Sequence, residues 1–209
     1  GFEMIVYDIR PEAVERQLEP GVSAGSSPAD VLGRADVTVT MVFGPKEVEQ
    51  VVRGVDGFLS AHCKSKYWID MTTSSPKLMR ALAADFEAMG GHAIDAPVTG
   101  SVDAAIRGDM PMFVGGEDAA IEHVRPVIEA MGQLRKVGRY GNGYVAKLVN
   151  NQLWKVHAAA IGEAMVTAKL AGLDPLTWWN ALRGERAFTS LRPAIIKPVA
   201  KPAAAKTGQ

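Results

Sequence analysis

One stretch limits the possible folds more than any other. Gly141–Gly172 reads GNGYVAKLVNNQLWKVHAAAIGEAMVTAKLAG, with no proline between a glycine turn and a glycine that can cap a helix end. Rich in Ala, Leu, Met, Lys and Glu, it predicts one helix about 40 Å long. A helix of that length spans two domains or forms the spine of a bundle. Lys147 and Asn151, four apart, share a face in its first turns, with Asn150 beside them. Val145, Leu148, Val149, Leu153 and Val156 make the surroundings mostly apolar. A lysine and an amide there, just after a Gly-x-Gly turn, form a candidate active site. Spacing alone favours a solvated surface lysine.

Upstream of that helix, strands and helices alternate. Met4–Tyr7, Asp36–Val42, Tyr67–Met71, His92–Ala96, Met112–Val114 and Leu134–Val137 read as strands. The helices between them begin near Arg10, Ser27, Glu47, Ser75, Val102 and Ala119. Ser27-Pro28 and Ser75-Pro76 are N-cap and first-turn pairs. This order predicts an α/β fold whose parallel sheet is covered by helices on both faces. Beyond Gly138 the pattern is all helix, through Pro175–Leu182. Pro193, Pro198 and Pro202 interrupt the Ala/Lys-rich end, which reads as a mobile tail. The expected divisions are 1–140, 141–192 and 193–209.

Composition excludes several function classes. The chain carries 23 basic and 23 acidic residues, so net charge gives no reason to expect nucleic acid or an anionic membrane as partner. No apolar run is long enough to span a bilayer. No signal peptide is visible, and a cytoplasmic location is expected. Cys63 is the only cysteine, and the four histidines show no ligand spacing, so no metal is expected.

Three further stretches carry chemistry. Asp8 ends the first strand, where an acidic residue can bind the ribose hydroxyls of NAD; an ordinary strand-ending Asp is the plainer reading. Thr72-Thr73-Ser74-Ser75 follows another strand at its carboxyl end, where α/β sheets bind ligands, and N-capping explains it equally. Asp95-Ala96-Pro97-Val98-Thr99-Gly100-Ser101 joins a strand to a short helix. Gly100 admits a ligand near the backbone, and the free amides favour a carboxylate, although a tight capped turn would look the same.

Together these stretches resemble the β-hydroxyacid dehydrogenases, the family of 3-hydroxyisobutyrate dehydrogenase and the tartronate semialdehyde and glyoxylate/succinic semialdehyde reductases. The family's Asp-Ala-Pro-Val-Ser-Gly appears as Asp95–Gly100 with Thr99 for Ser, and its Met-x-Val-Gly-Gly as Met112–Gly116. Its Gly-x-Gly-x-x-x-Lys-x-x-Asn-Asn appears as Gly141–Asn151, and its Glu-Ala…Ala-x-x-x-Gly-Leu-Asp as Glu163–Asp174. The resemblance covers about Phe2–Leu182 and reverses the reading of Lys147.

It implies a Rossmann-type sheet lacking its first strand and glycine turn, then a long interdomain helix and the start of an all-helical domain, so that the chain looks truncated at both ends. It implies Lys147 as acid–base and Asn151 as its companion. Thr99, Gly100, Ser101 and Asn150 would hold the substrate. Asp8, Met41, Val42, Phe43, Glu47 and Thr73 would contact the cofactor, with Phe43 where the family has proline. The implied cofactor is NAD, with NADP the alternative raised by Arg10 beside Asp8. The implied substrate is a small hydroxyacid or its semialdehyde, and the resemblance implies hydride transfer between that substrate and NAD(H). An apolar flank on the long helix predicts a homo-oligomer. The competing expectation is an inactive relative that serves only as an association module.

Overall fold

The computed structural model describes residues 1–182, so the expected tail at 193–209 and the end of the 141–192 segment lie outside the described residues. The chain opens with β1 (Met4–Val6), α1 (Pro11–Glu15) and β2 (Val22–Ala24), then α2 (Pro28–Arg34) and β3 (Val37–Thr40). It continues through α3 (Pro45–Arg53), a 3-10 turn at Phe58–Ser60, β4 (Tyr67–Asp70), α4 (Pro76–Ala88) and β5 (His92–Asp95). Next come α5 (Val102–Ile106), β6 (Met110–Gly115), α6 (Asp118–Met131) and β7 (Gly132–Gly138). Two helices follow, α7 (Asn142–Leu170) and α8 (Pro175–Leu182).

Helices α1 to α4 each start on a proline, whose missing N–H costs nothing in a first turn. The Ser27 hydroxyl accepts the Asp30 N–H at 3.1 Å, and Ser75 caps α4 in the same way. α7 covers 29 residues without a break, as its proline-free sequence predicts.

Strands β1 and β2 form a small parallel sheet of their own. The larger sheet has the order β3-β4-β5-β6-β7 and is parallel except at one place. There β5 and β6 pair antiparallel, which corrects the all-parallel expectation. The reason lies just past β5. The Thr99 N–H donates to Pro111 O at 2.9 Å and the Phe113 N–H to Pro97 O at 3.1 Å, so Pro97–Thr99 continues the strand line and β6 returns beside it. Strand β2, three residues long, went unread in the sequence; β6 and β7 are longer than expected.

Side chains alternate across the sheet with the period of two that strands impose. Trp68 and Ala93 pack in a cluster with Leu32, Val52, Phe58, Leu82 and Phe86. Ile69 and Ile94, their neighbours in sequence, pack in another with Met112, Val114, Ile121 and Ile128. The Phe58 and Phe86 rings each approach Trp68 at 5.8 Å in edge-on geometry.

The described chain divides into two units, with the division inside α7 between Gln152 and Leu153. All the residues singled out for chemistry belong to the first unit. Among the described residues no helix is long and apolar enough to cross a membrane, and no cluster of His, Cys, Asp and Glu could hold a metal ion.

Candidate active site

The carboxyl ends of β3, β4 and β5 bring Thr40, Asp70 and Asp95 side by side, because the strand register pairs Thr40 with Asp70 and Asp70 with Asp95. Both carboxylates are wholly buried. Asp70 accepts the Thr40 hydroxyl at 2.7 Å and the Thr72 N–H at 3.3 Å, and it also receives the Tyr144 hydroxyl from α7. The Trp68 indole N–H donates to the Thr40 oxygen at 2.9 Å, which completes the chain of bonds. Burial raises the Asp70 pKa, with these bonds opposing the rise.

Asp95 meets the start of α7 directly. It accepts the Gly141 N–H at 3.0 Å and the Tyr144 N–H at 2.9 Å. Burial pushes its carboxyl up to about 6, against the pull of those backbone donors. Two glycines make room for it. A Cβ on Gly115 would come within 2.5 Å of one Asp95 oxygen, and one on Gly143 within 2.7 Å of the other and 2.2 Å of the Phe113 carbonyl. Backbone cannot yield as a flexible side chain would, so Gly143→Ala is expected to cost about 2 kcal/mol or more. A shift in the urea midpoint measures it; an unchanged midpoint would show that α7 can start elsewhere.

Lys147 lies one turn further along α7 and is half-buried. Burial lowers its amine below the ordinary lysine value. Asn150 and Asn151 are also half-buried. The Asn150 amide donates to the Thr99 hydroxyl at 3.4 Å, which ties α7 to the loop after β5. In that loop Gly100 has φ +134°, a conformation that side-chain-bearing residues rarely adopt. Ser101 is spent on capping, its hydroxyl accepting the Ala104 N–H at 3.4 Å.

The residues singled out for the cofactor fall into two places. Asp8, Met41, Val42, Phe43 and Glu47 line one cleft of about 1920 Å³, bordered by both β1 and β3. Phe43 is 94% exposed and free to stack on a ligand. Thr73 is exposed at the end of β4 and is not among the cleft's lining residues. Its neighbour Thr72 has a structural task, accepting the Val42 N–H at 3.1 Å and so joining the exits of β3 and β4. Asp8 is already engaged: one oxygen accepts the Arg10 backbone N–H at 2.9 Å and its Nε–H at 3.2 Å, and the backbone bond first, then the guanidinium, lowers its pKa.

The residues that would hold the adenosine half of a dinucleotide line this cleft. The cleft offers a carboxylate at a strand end and exposed apolar side chains, and beneath its lining the Thr38 hydroxyl is buried without a partner among the described residues. The residues given contain no Gly-x-Gly-x-x-Gly, the turn whose amides cradle a pyrophosphate. Sequence reading gave Asp70 and Tyr144 no role. Their type carries no signal, and only the fold brings them together.

Residues 1–144 match the family described as the NAD binding domain of 6-phosphogluconate dehydrogenase. Residues 141–199 match one described as the NAD-binding domain of NADP-dependent 3-hydroxyisobutyrate dehydrogenase. The mitochondrial 3-hydroxyisobutyrate dehydrogenase of Mus musculus is 34% identical over 176 residues, which cover 84% of this chain and 52% of the relative. The 3-hydroxyisobutyrate dehydrogenase of Pseudomonas aeruginosa is also 34% identical, over 84% of this chain and 59% of its own. A solved structure of Mycobacterium tuberculosis 3-hydroxyisobutyrate dehydrogenase with L-serine superposes with a TM-score of 0.77 at 31% identity, covering 85% of this chain and 60% of the other. The chain thus spans about half the length of the curated relatives it matches.

Proposed function

Because this chain belongs to the family of the 6-phosphogluconate dehydrogenase NAD-binding domain, we propose that it takes part in hydride transfer between NAD(H) and a small β-hydroxyacid or its semialdehyde. The observation that carries this reading is a half-buried Lys147 with a lowered pKa, on the same stretch of helix as Asn150 and its bond to Thr99. An amine whose pKa is lowered by burial can exchange the proton of a carbinol hydroxyl.

Lys147 accepts that proton in oxidation and returns it in reduction, and Asn151, four residues on, orients the same oxygen. Asn150, Thr99, Gly100 and the Ser101 backbone hold the substrate carboxylate and so fix the carbinol carbon. When bound, the nicotinamide supplies the hydride acceptor or donor. Asp8 holds the adenosine ribose, while Met41, Val42, Phe43 and Glu47 flank the adenine side and Thr73 the nicotinamide side. Asp8 is placed to take the ribose hydroxyls, which favours NAD, while Arg10, which bonds Asp8 through its Nε, keeps NADP as the alternative. Exposed Leu153, Trp154 and Val156 on α7 support self-association, read by sedimentation.

The test is formation of NADH from NAD with a panel of small β-hydroxyacids, 3-hydroxyisobutyrate first. Turnover with a member of the panel supports the reading. A folded protein that binds NADH and turns over none of them contradicts it. Asp8→Ala is expected to weaken NADH binding about tenfold, as measured by calorimetry. An unchanged affinity would remove Asp8 from the site.

A further inference from the structure

We propose that Asp95 and Tyr144 are positioning residues, which lock the first turn of α7 onto the ends of β4 and β5 and so set the direction of Lys147. The inference rests on the functional reading above and adds to it two residues that never reach the substrate.

The lock has two parts. The first N–H groups of a helix lack partners within it, and Gly141, just before α7, has no side chain to serve them. Asp95 does so from β5, its two oxygens taking the N–H groups of Gly141 and Tyr144. This fixes the height of the helix start above the sheet. The second part fixes rotation. The Tyr144 side chain is fully buried, and its hydroxyl donates to Asp70 on the neighbouring strand. Successive residues turn about 100° around a helix, so Tyr144, Lys147 and Asn151 stand near one stripe at spacings that bring them to one face. A helix pinned at Tyr144 cannot rotate without turning Lys147 and Asn151 away.

The groups around the lock are Asp70, Asp95 and Tyr144 themselves, with the Arg80 guanidinium beside Gly141. The space is built for the Asp95 carboxylate, since Gly115 and Gly143 both leave it the volume a Cβ would take. A helix needs no such buried carboxylate merely to begin; a serine or asparagine at its own N-cap would serve. Burying a charge here is costly, and the return is a defined orientation.

The test compares the full chain with Asp95→Asn and Tyr144→Phe, the second keeping the ring and its packing. Competitive acetylation across pH, read by mass spectrometry at Lys147 with exposed Lys155 as internal reference, gives the titration midpoint of Lys147 without any need for turnover. Loss of the lock exposes the amine, so the Lys147 midpoint is expected to rise toward the ordinary lysine value in both variants. In turnover assays kcat is expected to fall about tenfold with KM for NAD unchanged, since the chemical step alone loses alignment. A lower melting temperature with an unmoved Lys147 midpoint in both variants would overturn the proposal and leave only a structural cap. If the wild type shows no turnover, the functional reading fails while the acetylation result still decides the positioning.

Discussion

Lys147→Ala is expected to lower kcat about a thousandfold, a loss of about 4 kcal/mol in transition-state stabilisation, within the range for removing a general acid–base. Binding of NADH should be retained, because Lys147 lies outside the cleft that Asp8 and Phe43 border. The same residue sets a pH dependence. In the oxidative direction Lys147 must be neutral to take the hydroxyl proton. Its pKa is lowered by burial, so the acid limb of kcat/KM should fall below the ordinary lysine value. In Lys147→Ala that limb should disappear from whatever rate remains. Steady-state rates from pH 6 to 10 measure both effects. A variant with a rate within threefold of wild type would assign the proton to another group.

The second large effect is on stability. Asp95 has a folded-state pKa of about 6 against an ordinary 3.8, and Asp70 is shifted in the same direction. Where the folded state holds a proton more tightly than the unfolded state, stability is greatest below the unfolded value and is lost as pH rises through the folded one. Asp95 alone should therefore remove on the order of 3 kcal/mol between about pH 4 and 6. Half-buried Asp8 and Asp30 and exposed Glu122 and Asp174 are shifted downward and work in the opposite direction, but solvent screens them. Urea unfolding at pH 4, 5, 6 and 7 for wild type and Asp95→Asn isolates the contribution. The difference between the two proteins should change across this window. A constant difference would mean that Asp95 does not change its protonation there.

Local signals made most elements legible. Ser-Pro and glycine pairs marked helix starts, and β-branched runs such as Val37–Thr40 marked strands. The length of α7 followed from the absence of proline and the glycines at its ends. The reading failed where the information is not local. Val22–Ala24 is too short for a pattern of period two, and only its pairing with β1 makes it a strand. The direction of β6 depends on Pro97–Thr99 bonding back to Pro111 and Phe113, which no periodicity reports. In the site, the motif around Lys147 was visible as a spacing. Asp95 stood in a recognisable stretch, yet its burial against α7 depends on two glycines far apart in sequence, Gly115 and Gly143. Tyr144 carries no signal in the helix sequence that would single it out. Thr73 and Thr72 could not be told apart by type, and the structure gives the bond to Val42 to Thr72.

The central claim is that this chain holds a nicotinamide dinucleotide in the cleft beside Asp8. The most direct measurement is a fluorescence titration of the chain with NADH, run beside NADPH. The account predicts saturable binding of NADH, tighter than of NADPH. No binding at millimolar NADH would contradict it, and would mean that Lys147 and its companions stand in a fold that lacks a grip on the phosphates.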